Sequence, residues 1–65
     1  IELSDDEKVI VTILKDENEL PIDIICLKAA MPTSRVSPLL LNLEFVGFVK
    51  AMPGKKYKLI SQIYL

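Results

Sequence analysis

Apolar residues recur near the start of the chain at the spacing of one helical face. This stripe consists of Val9, Ile10, Ile13 and Leu14. Ser4 and Glu7 stand three positions apart just before it, the spacing of a capping box that satisfies two free backbone amides. The pattern predicts a first helix that starts at Asp5 and that the polar stretch 16–19 ends.

The next apolar run predicts a short strand and a second helix. Residues 20–22, Leu-Pro-Ile, are too few for more than a bridging strand, and proline lacks the amide that a central strand position needs. Asp23 is the predicted cap of the second helix, which turns Ile25 and Ala29 inward. Met31-Pro32 ends it, because the residue before a proline is pushed out of the helical region.

A third helix and a hairpin complete the pattern. The helix has Thr33 or Ser34 as its predicted cap and Gly47 as its end. Its inward stripe is Val36, Leu39 or Leu40, Leu43 and Val46. Residues 48–52 and 56–60 then predict two strands joined through Pro53-Gly54, a turn pair. This order is that of a small α+β winged helix-turn-helix domain, with three helices and a β-hairpin wing, over residues 1–65.

Composition narrows the class of protein. The chain has 65 residues, of which 51% are hydrophobic and 26% charged, and no apolar run reaches the ~18 residues of a membrane span. One cysteine, Cys26, cannot form an internal disulfide, which together with the lack of a signal-type start favours the cytoplasm and no membrane partner. Because the chain begins at Ile1 and not at a methionine, we expect a single domain cut from a longer protein.

Charge is divided unevenly along the chain. Residues 1–23 hold eight acidic and two basic side chains, a net charge of −6, whereas residues 24–65 hold six basic and one acidic, a net charge of +5. Such asymmetry orients a domain toward a polyanion. The alternative is that the acidic side chains only cover a solvated first helix.

DNA is therefore the first candidate partner. Of the outward positions on the third helix only Arg35 and Asn42 carry donors suited to base edges, so we expect weak, phosphate-based contact without sequence specificity. The candidate DNA-binding residues are Ser34, Arg35, Ser37, Asn42, Lys50, Lys55, Lys56 and Lys58. The alternative for the lysines is protection of an exposed sheet edge against aggregation.

A second candidate surface is apolar. Ile24, Leu27, Pro38, Leu41 and Phe45 are predicted on the outer faces of the second and third helices. Exposed apolar surface of this kind is typical of self-association or of docking to the parent protein's other domains. The alternative is that one or two of these residues belong to the core.

The sequence offers little for catalysis. It contains no histidine and no glycine-rich phosphate loop, and Cys26 has no second cysteine for a thiolate metal site, so we expect no enzyme activity, cofactor or metal. Cys26 is interpreted as an inert core thiol. Tyr57 and Tyr64 are able to stack on bases, but Tyr57 alternates with lysines and is expected to face the packed side of the hairpin.

Residues 21–59 resemble the C-terminal winged-helix domain of the DNA-processing protein A (DprA, or Smf) family. The matching pieces are Ile22-Asp23, Pro32-x-Ser34-x-Val36, Leu40-Leu41-x-Leu43-Glu44-Phe45-x-Gly47-Phe48-Val49 and Met52-Pro53-Gly54-x-x-Tyr57-x-Leu59. The chain departs from the family at Ala30, where glycine is usual, and at Ile24 and Leu27, where polar residues are usual.

The resemblance implies a parent protein that handles single-stranded DNA and loads the RecA recombinase in natural transformation, with this domain as an accessory. Two functions follow. One is a nucleic-acid-binding module that acts through the wing lysines and Arg35; the other is a protein-interaction module without DNA affinity. A transcription regulator is the weakest alternative, because the chain shows no dimerisation element.

Overall fold

Three helices and three short strands follow one another along residues 3–60, the part of the chain that the computed structural model describes. They are α1 (Asp5–Glu17), β1 (Glu19–Pro21), α2 (Ile22–Ala29), α3 (Thr33–Phe45), β2 (Val49–Met52) and β3 (Lys56–Leu59). The strands form one antiparallel sheet in the order β1-β3-β2. This architecture confirms the predicted winged helix.

Helix α1 begins as the sequence predicts, but its buried stripe is shifted by one residue. The Ser4 side chain accepts from the Glu7 amide at 3.2 Å, and the Glu7 carboxylate accepts from the Ser4 amide at 2.9 Å, which confirms the capping box. Val9, predicted to face inward, is 42% exposed, whereas Val11 is fully buried. Residues 9–11 are all apolar, so their spacing alone did not fix the facing.

The predicted caps of α2 and α3 are wrong. Helix α2 begins at Ile22 directly after β1, with Pro21 as its cap, and Asp23 lies in its first turn. The Ile22 amide donates to the Lys55 carbonyl at 2.9 Å, so the wing satisfies one of the backbone amides that the start of a helix leaves without an intrahelical partner. Helix α3 likewise begins at Thr33 after Pro32, without a side-chain cap.

Both α2 and α3 end in the same hydrogen-bonded turn. At the end of α3 the Phe48 amide donates to the Leu43 carbonyl and the Gly47 amide to the Glu44 carbonyl, with Gly47 at φ +90° as predicted. This is a Schellman motif. At the end of α2 the same two bonds form around Ala30, which adopts φ 57° and ψ 40°. Ala30 therefore occupies a left-handed position that favours glycine.

Strand β1 shows how the sheet accepts a proline. The bonds from Leu59 N–H to Asn18 O and from Ile22 N–H to Lys55 O flank β1, so the alternation of an antiparallel ladder leaves Pro21 at a non-hydrogen-bonded position. β1 is also an edge strand, so the missing amide costs no ladder bond. The predicted hairpin strands are each one residue too long at their outer end.

The core lies where the three helices meet the inner face of the sheet. Its buried apolar residues are Ile10, Val11, Leu14, Ile25, Val36, Leu40, Leu43, Phe48, Val49 and Leu59. Ala29, Leu39 and Val46 are only half-buried. None of the helices described over residues 3–60 has both the length and the apolar composition of a membrane span, although α2 and α3 counted together across their 110° bend do.

Candidate nucleic-acid interface

The face of the sheet that points away from the core carries three of the four predicted wing lysines. Val49 and Leu59 are buried and Tyr57 packs against the core, as expected. Side chains alternate between the faces of a strand, so the intervening residues of β2 and β3 face outward. These outward lysines are Lys50, Lys56 and Lys58.

The register sets two of these ammonium groups against each other. Lys50 lies directly opposite Lys58 across β2 and β3, a like-charge pairing that destabilises a sheet. On the other side Lys58 faces Glu19 of β1. Within residues 3–60, none of Lys50, Lys56 and Lys58 forms an ion pair with a carboxylate. Lys50 and Lys56 are exposed and Lys58 is half-buried, so this outer lysine face is positive and largely open.

Lys55 lies apart from that face, in the wing turn at φ 60°. Lys55 lines a cleft between the wing and the start of α3, together with Thr33, Ser37 and Tyr57. Asp23 of α2 lines the same cleft. The structure thus brings two sequence candidates, Ser37 and Lys55, together beside an acid.

The donors on α3 that suit base edges both contact acids of α1. Arg35 Nε donates to Asp6 Oδ2 at 2.9 Å, and Arg35 Nη2 contacts the same oxygen. The Asn42 amide nitrogen donates to the Glu7 carboxylate. Ser34, in the first turn of α3, is exposed. Base reading by α3 would therefore require these contacts to break.

Glu7 is the one buried charged residue among those described, with 6% of its surface exposed. Burial acts to raise the pKa of its carboxyl, but hydrogen bonds from the Ser4 backbone, the Asn42 amide and the Ser4 side chain outweigh it. The pKa of Glu7 therefore lies below its ordinary value of 4.5. The charged carboxylate ties the first turn of α1 to α3.

Sequence reasoning did not find Asp6 and Glu7 as partners of α3. Arg35 and Asn42 stand seven residues apart, which places them on one face of a helix, and this spacing was the available signal. Which element faces them depends on how α1 packs against α3, and spacing does not specify that packing.

The predicted apolar surface is open. Phe45 is 88% exposed, Leu27 76% and Leu41 67%. Pro38 is also exposed, whereas Ile24 is half-buried. Pro38, Leu41 and Phe45 follow one another along α3 at steps of three and four, so they form one strip on its outer side.

Residues 3–60 hold no group of three or more side chains arranged to bind a metal ion. Cys26 is half-buried, and its sulfur lies 3.6 Å from the Thr33 hydroxyl oxygen. The prediction of a core thiol is therefore only partly met. Tyr64 lies outside the described residues.

A helix-turn-helix pair followed by a lysine-bearing hairpin defines a winged-helix domain. Comparison with known families is more specific, because residues 1–55 match the DprA winged helix domain. The chain therefore belongs to that family, whose winged-helix domains are typically non-enzymatic and relate to DNA processing. The match ends one residue before β3. No curated protein and no solved structure gave a significant match.

Proposed function

We propose that this chain is a non-catalytic accessory module of a DprA-type DNA-processing protein and that it binds DNA weakly through phosphate contacts on the outer lysine face. The observation that carries the proposal is the Lys50–Lys58 pairing. Lys50 and Lys58 form no ion pair within residues 3–60, and although Glu19 faces Lys58 on its other side, an external anion relieves the repulsion between the two ammonium groups.

Phosphates fit this face better than bases do. An ammonium group acts as a point charge and needs no special geometry to meet a phosphate, whereas base edges require paired donors. The donors of that kind, Arg35 and Asn42, contact Asp6 and Glu7. We therefore expect binding without base discrimination.

The family supplies the wider setting of the proposal. In DprA-type proteins this module would support single-stranded DNA handling and RecA loading by the parent protein during natural transformation, in the cytoplasm. The module itself needs no cofactor for phosphate contact.

Fluorescence anisotropy with labelled single- and double-stranded oligonucleotides tests the proposal. Three phosphate contacts give a salt slope of about −2.1 to −2.7, so affinity falls about 20- to 40-fold between 50 and 200 mM salt. Lys50→Glu and Lys56→Glu should each weaken binding and reduce the slope by about 0.7 to 0.9. Lys8→Glu changes the net charge equally on α1 and serves as the control. Equal effects of all three substitutions, or no binding at 50 mM salt, would overturn the proposal.

A second candidate function rests on the 88% exposure of Phe45. An apolar strip this open favours self-association or docking to the parent protein's other domains. Sedimentation equilibrium of the chain should then show assembly that Phe45→Asp and Leu41→Asp abolish. A wild-type chain that stays monomeric, and that neither substitution changes, removes self-association.

A further inference from the structure

Arg35 is the only arginine in the chain, and an acid of the same chain already holds it. Two of its guanidinium nitrogens contact one carboxylate oxygen of Asp6. A guanidinium binds carboxylates and phosphates alike through charge-assisted hydrogen bonds. Asp6 therefore occupies the Nε and Nη2 donors of Arg35 and offsets the positive charge that a phosphate would meet.

The position of Arg35 means that its contact with Asp6 affects DNA binding. It lies in the first turn of α3, the helix whose start faces nucleic acid in helix-turn-helix proteins. An arginine there contributes more to DNA affinity when a carboxylate of its own chain does not already hold its donors and offset its charge. The Asp6 carboxylate also places a negative charge where a phosphate would approach.

We propose that Asp6 is an affinity-determining residue, whose carboxylate stands in for a DNA phosphate on Arg35 and weakens the contribution of α3 to DNA binding. The inference rests on the proposed function in one respect, namely that DNA is the ligand. It concerns a different part of the surface from the outer lysine face.

A DNA phosphate is able to compete for this contact because the pair is accessible. The Arg35 side chain is 59% exposed and that of Asp6 35%, so water screens their attraction. Removing such a competitor should raise the affinity for DNA by up to about fivefold. One added phosphate contact also steepens the salt slope by about 0.9 on duplex DNA.

The fold offers a way to remove the competitor without releasing α1. Glu7 keeps its own hydrogen bond to Asn42 of α3, independently of Asp6. Ile10, Val11 and Leu14 of α1 remain buried in the core. Asp6→Asn therefore changes one charge at a surface pair and leaves the α1–α3 packing in place.

Anisotropy titrations of four chains test the proposal: wild type, Asp6→Asn, Asp5→Asn and the double variant Asp6→Asn/Arg35→Gln. Asp5 is the matched control, because it precedes Asp6 in the first turn of α1, carries the same charge and does not contact Arg35. We expect Asp6→Asn to bind about two- to fivefold tighter with a steeper slope. Asp5→Asn should change affinity less, and the double variant should lose the gain.

Equal gains in Asp6→Asn and Asp5→Asn would overturn the proposal, as would a double variant that keeps the gain. Should Asp6→Asn fail to fold, the single variant Arg35→Gln decides the question. We expect Arg35→Gln to bind DNA with wild-type affinity. A loss of DNA affinity as large as that of Lys50→Glu would show that Arg35 already contacts DNA and would overturn the proposal. A loss in Lys50→Glu without a gain in Asp6→Asn would leave the proposed function standing and refute only this inference.

Discussion

The like-charge pair on the outer lysine face predicts that one substitution makes the fold more stable and DNA binding weaker. In Lys50→Glu a carboxylate replaces the ammonium group opposite Lys58, so cross-strand repulsion becomes attraction. Cross-strand charge pairs are worth about 0.2–1 kcal/mol. Lys50 is exposed and solvent screens the pair, so we expect a gain of about 0.5 kcal/mol in the free energy of unfolding.

Thermal unfolding at low ionic strength measures this gain. In a chain of this size 1 kcal/mol shifts Tm by about 4–8 °C, so Lys50→Glu should raise Tm by about 2–4 °C. Lys50→Gln is the reference, because it removes the repulsion without adding attraction. We expect its Tm to lie between those of the wild type and Lys50→Glu. At 0.5 M salt the differences should shrink, because screening acts on exposed charges.

The same variant separates two roles of the lysine. If Lys50 only protected the edge strand β2 from aggregation, a glutamate would serve equally well and DNA affinity would not change. The phosphate-binding role instead requires lower affinity together with higher stability. A Lys50→Glu chain that is no more stable than Lys50→Gln, or whose gain does not depend on salt, would show that the charges at positions 50 and 58 do not interact across the strands.

Two further substitutions test the fold. Glu7→Gln should cost about 1–2 kcal/mol in urea unfolding at neutral pH, because the glutamine oxygen still accepts from the Ser4 amide but the charge and the second acceptor, which Asn42 uses, are lost. The charged form of Glu7 is favoured in the folded chain, so its contribution is present above about pH 4.5 and disappears as pH falls through its lowered pKa. The difference between wild type and Glu7→Gln should therefore shrink at pH 3, and a constant difference would contradict this assignment. Ala30→Gly should raise stability by about 0.5–1 kcal/mol in the same assay, because glycine relieves the left-handed backbone at φ 57°; a loss of stability would contradict the strain.

Local chemistry made much of the fold predictable from the sequence. The capping box at Ser4 and Glu7, the left-handed Gly47 and the Pro53-Gly54 turn each depend on residues a few positions apart. The third helix was predictable for the same reason, since Val36, Leu40 and Leu43 repeat at helical spacing and are all fully buried. Because side chains alternate between the two faces of a strand, the predicted hairpin also indicated which residues of β2 and β3 face outward.

Features that depend on distant contacts were not predictable. The start of α2 is set by a bond to the Lys55 carbonyl, 33 positions along the chain from Ile22, and not by Asp23. Likewise Arg35 and Asn42 were interpreted as outward donors, whereas the packing of α1 brings Asp6 and Glu7 to them. The choice between Val9 and Val11 also depended on this packing.

Chemical-shift mapping by NMR tests most directly whether DNA meets the outer lysine face and not α3. The ¹⁵N-labelled chain is titrated with a short single-stranded oligonucleotide at low salt, and backbone amide shifts are followed residue by residue. We expect the largest shifts in β2 and β3, around Lys50, Lys56 and Lys58, with small changes in the first turn of α3. Shifts confined to α3, or no shifts anywhere at millimolar DNA, would show that the outer lysine face does not bind DNA.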